Sequence, residues 1–137
     1  MRPPLTTAAL AALLFAWGCN APCLEDLDAA CAPLYEPLWS NVYARTLEPT
    51  CGTGGSTCHS AEGAQGGFAV GDEQSTWEHL LGRDGGSAPV VAGDPECSPI
   101  VRLLRSTDSS EQMPPGDPLS EAEICAVQRW IADGATQ

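Results

Sequence analysis

The side chains of this sequence that could hold a metal or a cofactor are concentrated in two places. One is a loop that contains Cys51, Cys58 and His59, with six residues between the two thiols and the histidine directly after the second. The other is Met113, which two prolines follow. Thiol, imidazole and thioether groups are soft or borderline ligands that suit transition metals such as iron, copper and zinc. The sequence therefore contains a candidate ligand set for a transition metal.

Other kinds of chemistry have no residues to support them. The sequence has no nucleophile with a neighbouring base, no phosphate-binding glycine loop and no catalytic pair of carboxylates. We therefore predict that the protein is not an enzyme. Its 18 acidic residues stand against six basic ones, which gives a net charge of −12. This charge argues against binding to nucleic acid and favours cationic partners.

The amino terminus and the cysteine content indicate an oxidising compartment. Arg2 precedes an apolar run over 5–17, which is too short to span a bilayer and has the length of a secretory signal. Residues 1–18 are therefore predicted to be a signal peptide. The end of this run, Phe15-Ala16-Trp17-Gly18-Cys19, resembles the lipobox of bacterial lipoproteins. The resemblance implies that Cys19 is lipidated and that the lipid anchors the protein on a membrane. The protein would then be a periplasmic or outer-membrane lipoprotein of the bacterial cell envelope. The alternative is a plain signal peptide without lipidation.

The remaining chain predicts a small, all-α domain over 34–137, after a short tether over 19–33. An amphipathic pattern over 34–47 predicts a first helix that Pro37 begins and Pro49 stops. A shorter helix is predicted over 75–81. Another is opened by residues 94–99 and ends before Ser106. Ser120 and Glu123 form the capping box of a last helix, which Gly134 can close. Four short helices joined by long loops follow from these signals, with three tryptophans in the core: Trp39, Trp77 and Trp130.

Several of these features together resemble the monohaem c-type cytochromes, specifically the cytochrome c-like domains of bacterial exported proteins. They are the pair Cys58-His59, the segment Met113-Pro114-Pro115-Gly116 and the capped last helix that carries Trp130. The resemblance covers roughly residues 34 to 135. It implies one haem c, transfer of single electrons to a redox partner that the sequence does not identify, His59 as the proximal iron ligand and Met113 as the distal one. An imidazole and a thioether together stabilise ferrous iron and raise its potential.

The attachment loop departs from this family, which uses C-x-x-C-H where this chain has C-x6-C-H. Three interpretations remain open. Cys51 and Cys58 both form thioethers to haem, Cys58 alone does so, or the two thiols form a disulfide and the domain binds haem weakly or not at all. A zinc site built from these thiols, His59 and one further ligand is a fourth alternative.

Six cysteines remain when Cys19 is set aside, and six thiols allow 15 pairings. The prediction is a local disulfide between Cys23 and Cys31 and a second one between Cys97 and Cys125. A pairing of Cys51 with Cys58 is expected only if haem is absent. The alternative function that follows is a haem-free lipoprotein with the same fold, stapled by three disulfides and acting as an interaction or structural module of the envelope.

Overall fold

The computed structural model of the chain describes residues 22–53 and 58–137. The predicted signal peptide, Cys19 and residues 54–57 of the attachment loop lie outside the described residues. Within the described part the structure contains helices and no strand. The α-helices are α1 (Trp39–Val42), α2 (Glu73–Leu80), α3 (Pro99–Arg105) and α4 (Glu121–Ala132), and a π-helical segment, Tyr43–Cys51, continues α1. The prediction of an all-α fold of about four short helices is confirmed.

The first helix differs from its prediction at both ends. It begins at Trp39, so Leu34 precedes it and Leu38 caps it, and these two leucines are 59% and 50% exposed. The apolar pattern over 34–47 predicted these two leucines as part of the buried face of the first helix, and this is wrong, whereas Trp39 is buried as predicted. The predicted stop at Pro49 is also wrong, because the chain continues to Cys51 as a π-helix. A π-helical turn pairs residues five apart, and the Gly52 amide donates to the Leu47 carbonyl at 2.9 Å, across the proline.

Helices α3 and α4 begin on the local signals that predicted them, whereas α2 begins two residues before, and ends one residue before, the predicted range 75–81. Asp72 caps α2 by accepting a hydrogen bond from the Ser75 amide, and the hydrogen bonds from Ser75 hold the pKa of this carboxyl below its usual value. Pro99 occupies the first turn of α3, which ends before Ser106. Both hydrogen bonds of the predicted capping box are present at the start of α4. Gly134 follows α4 with a φ of 98°, a conformation that glycine adopts at little cost.

The core lies where the first and the last helix meet. The rings of Trp39 and Trp130 are 5.1 Å apart between centroids, and both side chains are buried. The Trp77 indole donates a hydrogen bond to the Ala135 carbonyl at 2.9 Å, which joins α2 to the end of the chain. The three tryptophans therefore have the core positions that the sequence predicted. The aliphatic part of the core includes Val42, Leu47, Leu80, Val101, Leu104, Ile124, Val127 and Ile131.

The disulfide pairing differs from the prediction. Cys23 is bonded to Cys97 and Cys31 to Cys125, across 74 and 94 residues of sequence. All four cysteines predicted to form disulfides do so, but the local disulfide within 19–33 and the bond between Cys97 and Cys125 are wrong.

The course of residues 22–33 explains the observed pairing. This segment does not fold back on itself but lies along the helices of the second half. The Leu24 amide donates to the Glu96 carbonyl at 2.9 Å, next to Cys97. Gln128 and Arg129 of α4 donate to the carbonyls of Asp28 and Ala29 at 2.9 and 2.7 Å. Each cysteine of the segment is thereby brought to a distant partner.

In the described part of the chain, no helix has the length and apolar character needed to cross a bilayer.

Candidate functional site

An apolar cleft lies between the end of the π-helical segment, the loop after it, α3 and the segment that carries Met113. It encloses about 750 Å³ of empty space, part of which is open to solvent. Small-molecule and cofactor sites are commonly lined mainly by apolar side chains. The walls include Leu47, Phe68, Ile100, Leu103, Leu104, Pro114 and Pro115.

The four candidate ligand residues of the sequence all line this one cleft: Cys51, Cys58, His59 and Met113. The first three lie at the end of the π-helical segment and in the loop after it, and Met113 lies in the segment after α3. The fold thus brings together groups that are far apart in the sequence.

The imidazole of His59 has a defined hydrogen bond. Its Nδ1 atom lies 3.1 Å from the Phe68 carbonyl oxygen, which can only accept, so Nδ1 carries the proton and donates. In the neutral ring this leaves the lone pair of Nε2 for a metal. The Phe68 ring also lies against the imidazole, with 5.1 Å between centroids. A backbone carbonyl that orients a histidine in this way is a common companion of metal-binding imidazoles.

The attachment loop is closed by its backbone. The His59 amide donates to the Cys51 carbonyl at 3.2 Å, so the two ends of the C-x6-C-H segment are in direct contact despite its length. Gly52 suits the start of this loop, because a Cβ there would lie 2.9 Å from the Glu48 carbonyl oxygen. The long spacing therefore does not separate Cys51 from His59.

The two thiols of this loop are not joined by a disulfide, and neither takes part in the two disulfides described above. Burial, with a smaller contribution from Cys58, raises the pKa of the Cys51 thiol to about 11. Cys51 is therefore a neutral thiol at physiological pH when no metal is bound. Among residues 22–53 and 58–137, no group of three or more histidine, cysteine, aspartate or glutamate side chains is placed to hold a metal ion.

Met113 is held from its backbone and from a neighbouring side chain. Its amide donates to the Leu103 carbonyl of α3 at 3.1 Å. Two residues earlier, Glu111 forms an ion pair with Arg102 of α3 at 2.8 Å. Both prolines that follow Met113 line the cleft. The methionine is thus fixed to α3, whose residues Ile100, Leu103 and Leu104 also line the cleft.

Two parts of the site were not found from the sequence. The Phe68 carbonyl is a backbone group, and every residue has one, so no sequence signal marks it. Ile100, Leu103 and Leu104 were recognised only as the apolar face of a helix. The structure divides that face between the core and the cleft, since Leu104 is buried while Leu103 is partly exposed. The pattern of apolar residues alone does not distinguish these two roles.

The fold and the cleft together define a class of protein: a small helical domain that places an imidazole, a thioether and two thiols around one apolar cavity. Residues 56–117 match the model of a family described as Planctomycete cytochrome C. The match supports a cytochrome c-like domain. The matched range includes Cys58, His59 and Met113 and begins after Cys51. No curated protein and no solved structure matches the chain.

Proposed function

We propose that the domain binds one haem c in the apolar cleft and relays single electrons to and from partner proteins. The observation that carries the proposal is the convergence of His59, Met113 and Cys58 on one cavity. The match to a cytochrome c-like family supports it as well. Haem would supply the one-electron chemistry of iron, and the task of the chain is to hold it and keep water from it.

The residues of the cleft fit this group. His59 presents Nε2 because the Phe68 carbonyl accepts from Nδ1, and this suits a proximal ligand. Met113 would be the distal ligand, and its thioether favours ferrous iron. The apolar walls lower the local polarity, which also favours the less charged, reduced state. Cytochrome c-like domains are electron carriers and generally not enzymes, and no catalytic role is proposed here.

The covalent tether is proposed to be Cys58, with Cys51 as a second attachment. Both thiols line the cleft, and the hydrogen bond from His59 to the Cys51 carbonyl holds the two ends of the loop together. Addition of a thiol across a vinyl group moves the S–H hydrogen to carbon and needs no oxidant. Attachment through Cys58 alone is the competing form of the proposal, and it is favoured by a family match that begins at residue 56.

The setting proposed for this domain is the bacterial cell envelope. Its support is the amino-terminal sequence, with an apolar signal and Cys19 at the position of a lipidated cysteine. A lipid anchor would hold the domain on a membrane without a transmembrane helix. The net charge of −12 favours a redox partner with a basic surface.

Expression with a haem-maturation system tests this function. We expect a coloured protein with a Soret band and a haem-sized increase in mass that survives denaturation. Alkylation of the denatured, non-reduced protein then counts the thiols: none is modified if both form thioethers, and Cys51 alone is modified if only Cys58 does. A colourless protein without added mass would contradict the proposal.

Met113→Ala tests the distal ligand. The chain has two methionines, Met1 and Met113, so Met113 is the only one outside the predicted signal peptide. We expect the variant to lose the weak sulfur-to-iron absorption band in the far red and to have a lower reduction potential, because the thioether no longer stabilises ferrous iron. The measurement is a redox titration followed by visible absorption, with Gln112→Ala as the neighbouring control. An unchanged band and potential would exclude Met113 as the ligand.

A further inference from the structure

Helix α3 carries two arginines, and each pairs with a glutamate of a different element. The Arg102 guanidinium lies 2.8 Å from the Glu111 carboxylate, in the segment just before Met113. The Arg105 guanidinium lies 3.0 Å from the Glu121 carboxylate, in the first turn of α4. The two pairs have similar geometry on the same helix, but only the first involves the segment that carries a proposed iron ligand.

Met113 packs against the edge of the core, and the backbone hydrogen bonds of the residues before it lie mostly within their own segment. The amides of Glu111 and Gln112 both donate to the Asp108 carbonyl, at 3.0 and 2.8 Å, so these bonds close a turn within the segment. The Met113 amide donates to the Leu103 carbonyl at 3.1 Å. That bond and the ion pair of Arg102 with Glu111 therefore link the turn to α3 on either side of Gln112.

From this arrangement we infer that the Arg102–Glu111 ion pair positions Met113, by holding its segment against α3 so that the thioether stays at the cleft. The inference rests on the proposed function, because it assigns Met113 to a haem. Arg102 and Glu111 are positioning residues and are not ligands themselves.

The expected effect is local. The two side chains are 31% and 50% exposed, and ion pairs of this kind contribute little to global stability. A segment held by few contacts can, however, open without unfolding the domain. Loss of the pair is expected to raise the population of the opened segment by about three- to fivefold, the upper range for an exposed pair.

The test compares Glu111→Gln with the matched control Glu121→Gln. In the haem-free protein, hydrogen exchange at the Met113 amide is expected to accelerate about three- to fivefold in the first variant and to stay unchanged in the second. The Ile124 amide donates to the carbonyl of Ser120, the residue that caps α4, and its exchange rate reports on the first turn of α4 in Glu121→Gln. In the haem-loaded ferric protein, free imidazole can compete with Met113 for the iron. Its apparent affinity is expected to rise by the same factor in Glu111→Gln and to stay unchanged in Glu121→Gln.

A charge-swapped variant, Arg102→Glu with Glu111→Arg, is expected to restore slow exchange, and thermal unfolding of every variant checks that the fold is intact. The inference is overturned if Glu111→Gln leaves Met113 exchange unchanged, or if Glu121→Gln accelerates it equally. A protein that never acquires a Soret band would refute haem binding, but the exchange measurement on the haem-free chain would still decide whether the ion pair holds the segment. The two failures are therefore distinguishable.

Discussion

Replacing His59 with alanine is expected to remove the proximal iron ligand of the tethered haem, so that its Soret band shifts and weakens. The physical reason is the loss of the imidazole whose Nε2 is left available by the hydrogen bond from Nδ1 to the Phe68 carbonyl. Haem held only through thioethers would lack its proximal bond and would give a shifted, weaker Soret band. The measurement is the visible absorption spectrum per amount of protein, on protein produced with a maturation system.

His79→Ala is the matched control, because the chain has two histidines. The His79 imidazole pairs with the Asp84 carboxylate at 2.6 Å, and its ring also lies near Phe68, with 5.2 Å between centroids. Hydrogen bonds from the Gly86 amide and from His79 hold the pKa of the Asp84 carboxyl below its usual value, so this histidine already has a charged partner. We expect an unchanged Soret band in this variant. An equal change of the band in both variants would indicate a general packing defect, and an unchanged band in His59→Ala would exclude His59 as the ligand.

Removal of the disulfide between Cys31 and Cys125 is expected to produce the largest change in stability. The bond joins residues 94 apart, and in the chain-entropy account a closure of that length is worth about 4.6 kcal/mol. A small domain has only about 5–15 kcal/mol of total stability. The double variant Cys31→Ala with Cys125→Ala should therefore unfold at a much lower urea concentration in the haem-free state, as followed by circular dichroism.

Cys51→Ala provides the control, because it removes a cysteine that takes part in neither disulfide. Its midpoint of unfolding should stay close to that of the unmodified protein. Peptide mapping without reduction should recover Cys31 linked to Cys125 and Cys23 linked to Cys97. A midpoint unaffected by loss of the pair, or peptides that link Cys23 to Cys31, would contradict the fold described here.

The disulfides show where sequence reasoning stopped. An even number of thiols beyond Cys19 indicated a stapled extracytoplasmic domain, and the four cysteines chosen are those that are bonded. The choice of partners failed because it assumed that a short segment between Cys23 and Cys31 closes locally. Their actual partners depend on hydrogen bonds such as that of Gln128 with the Asp28 carbonyl, which span 100 residues and leave no local pattern.

The first helix shows a second limit. Proline normally ends an α-helix, and the prediction of a stop at Pro49 used that rule. The observed π-helical segment carries the chain through the proline and delivers Cys51 to the cleft. A change of hydrogen-bond spacing within a helix is set by packing around it, since π-helical turns have no strong propensity of their own.

The sequence by itself determined what is local. The capping box of Ser120 and Glu123, the start of α3 at Pro99 and the order of the helices depend on neighbours a few residues apart, and these interactions can be read from spacing. It also supplied the chemical types of the proposed ligands. Only the tertiary structure decided that Cys51, His59 and Met113 meet at one cavity, that a backbone carbonyl of Phe68 orients the imidazole, and which cysteines pair. The reason is that such contacts arise from the packing of distant segments, which no local interaction specifies.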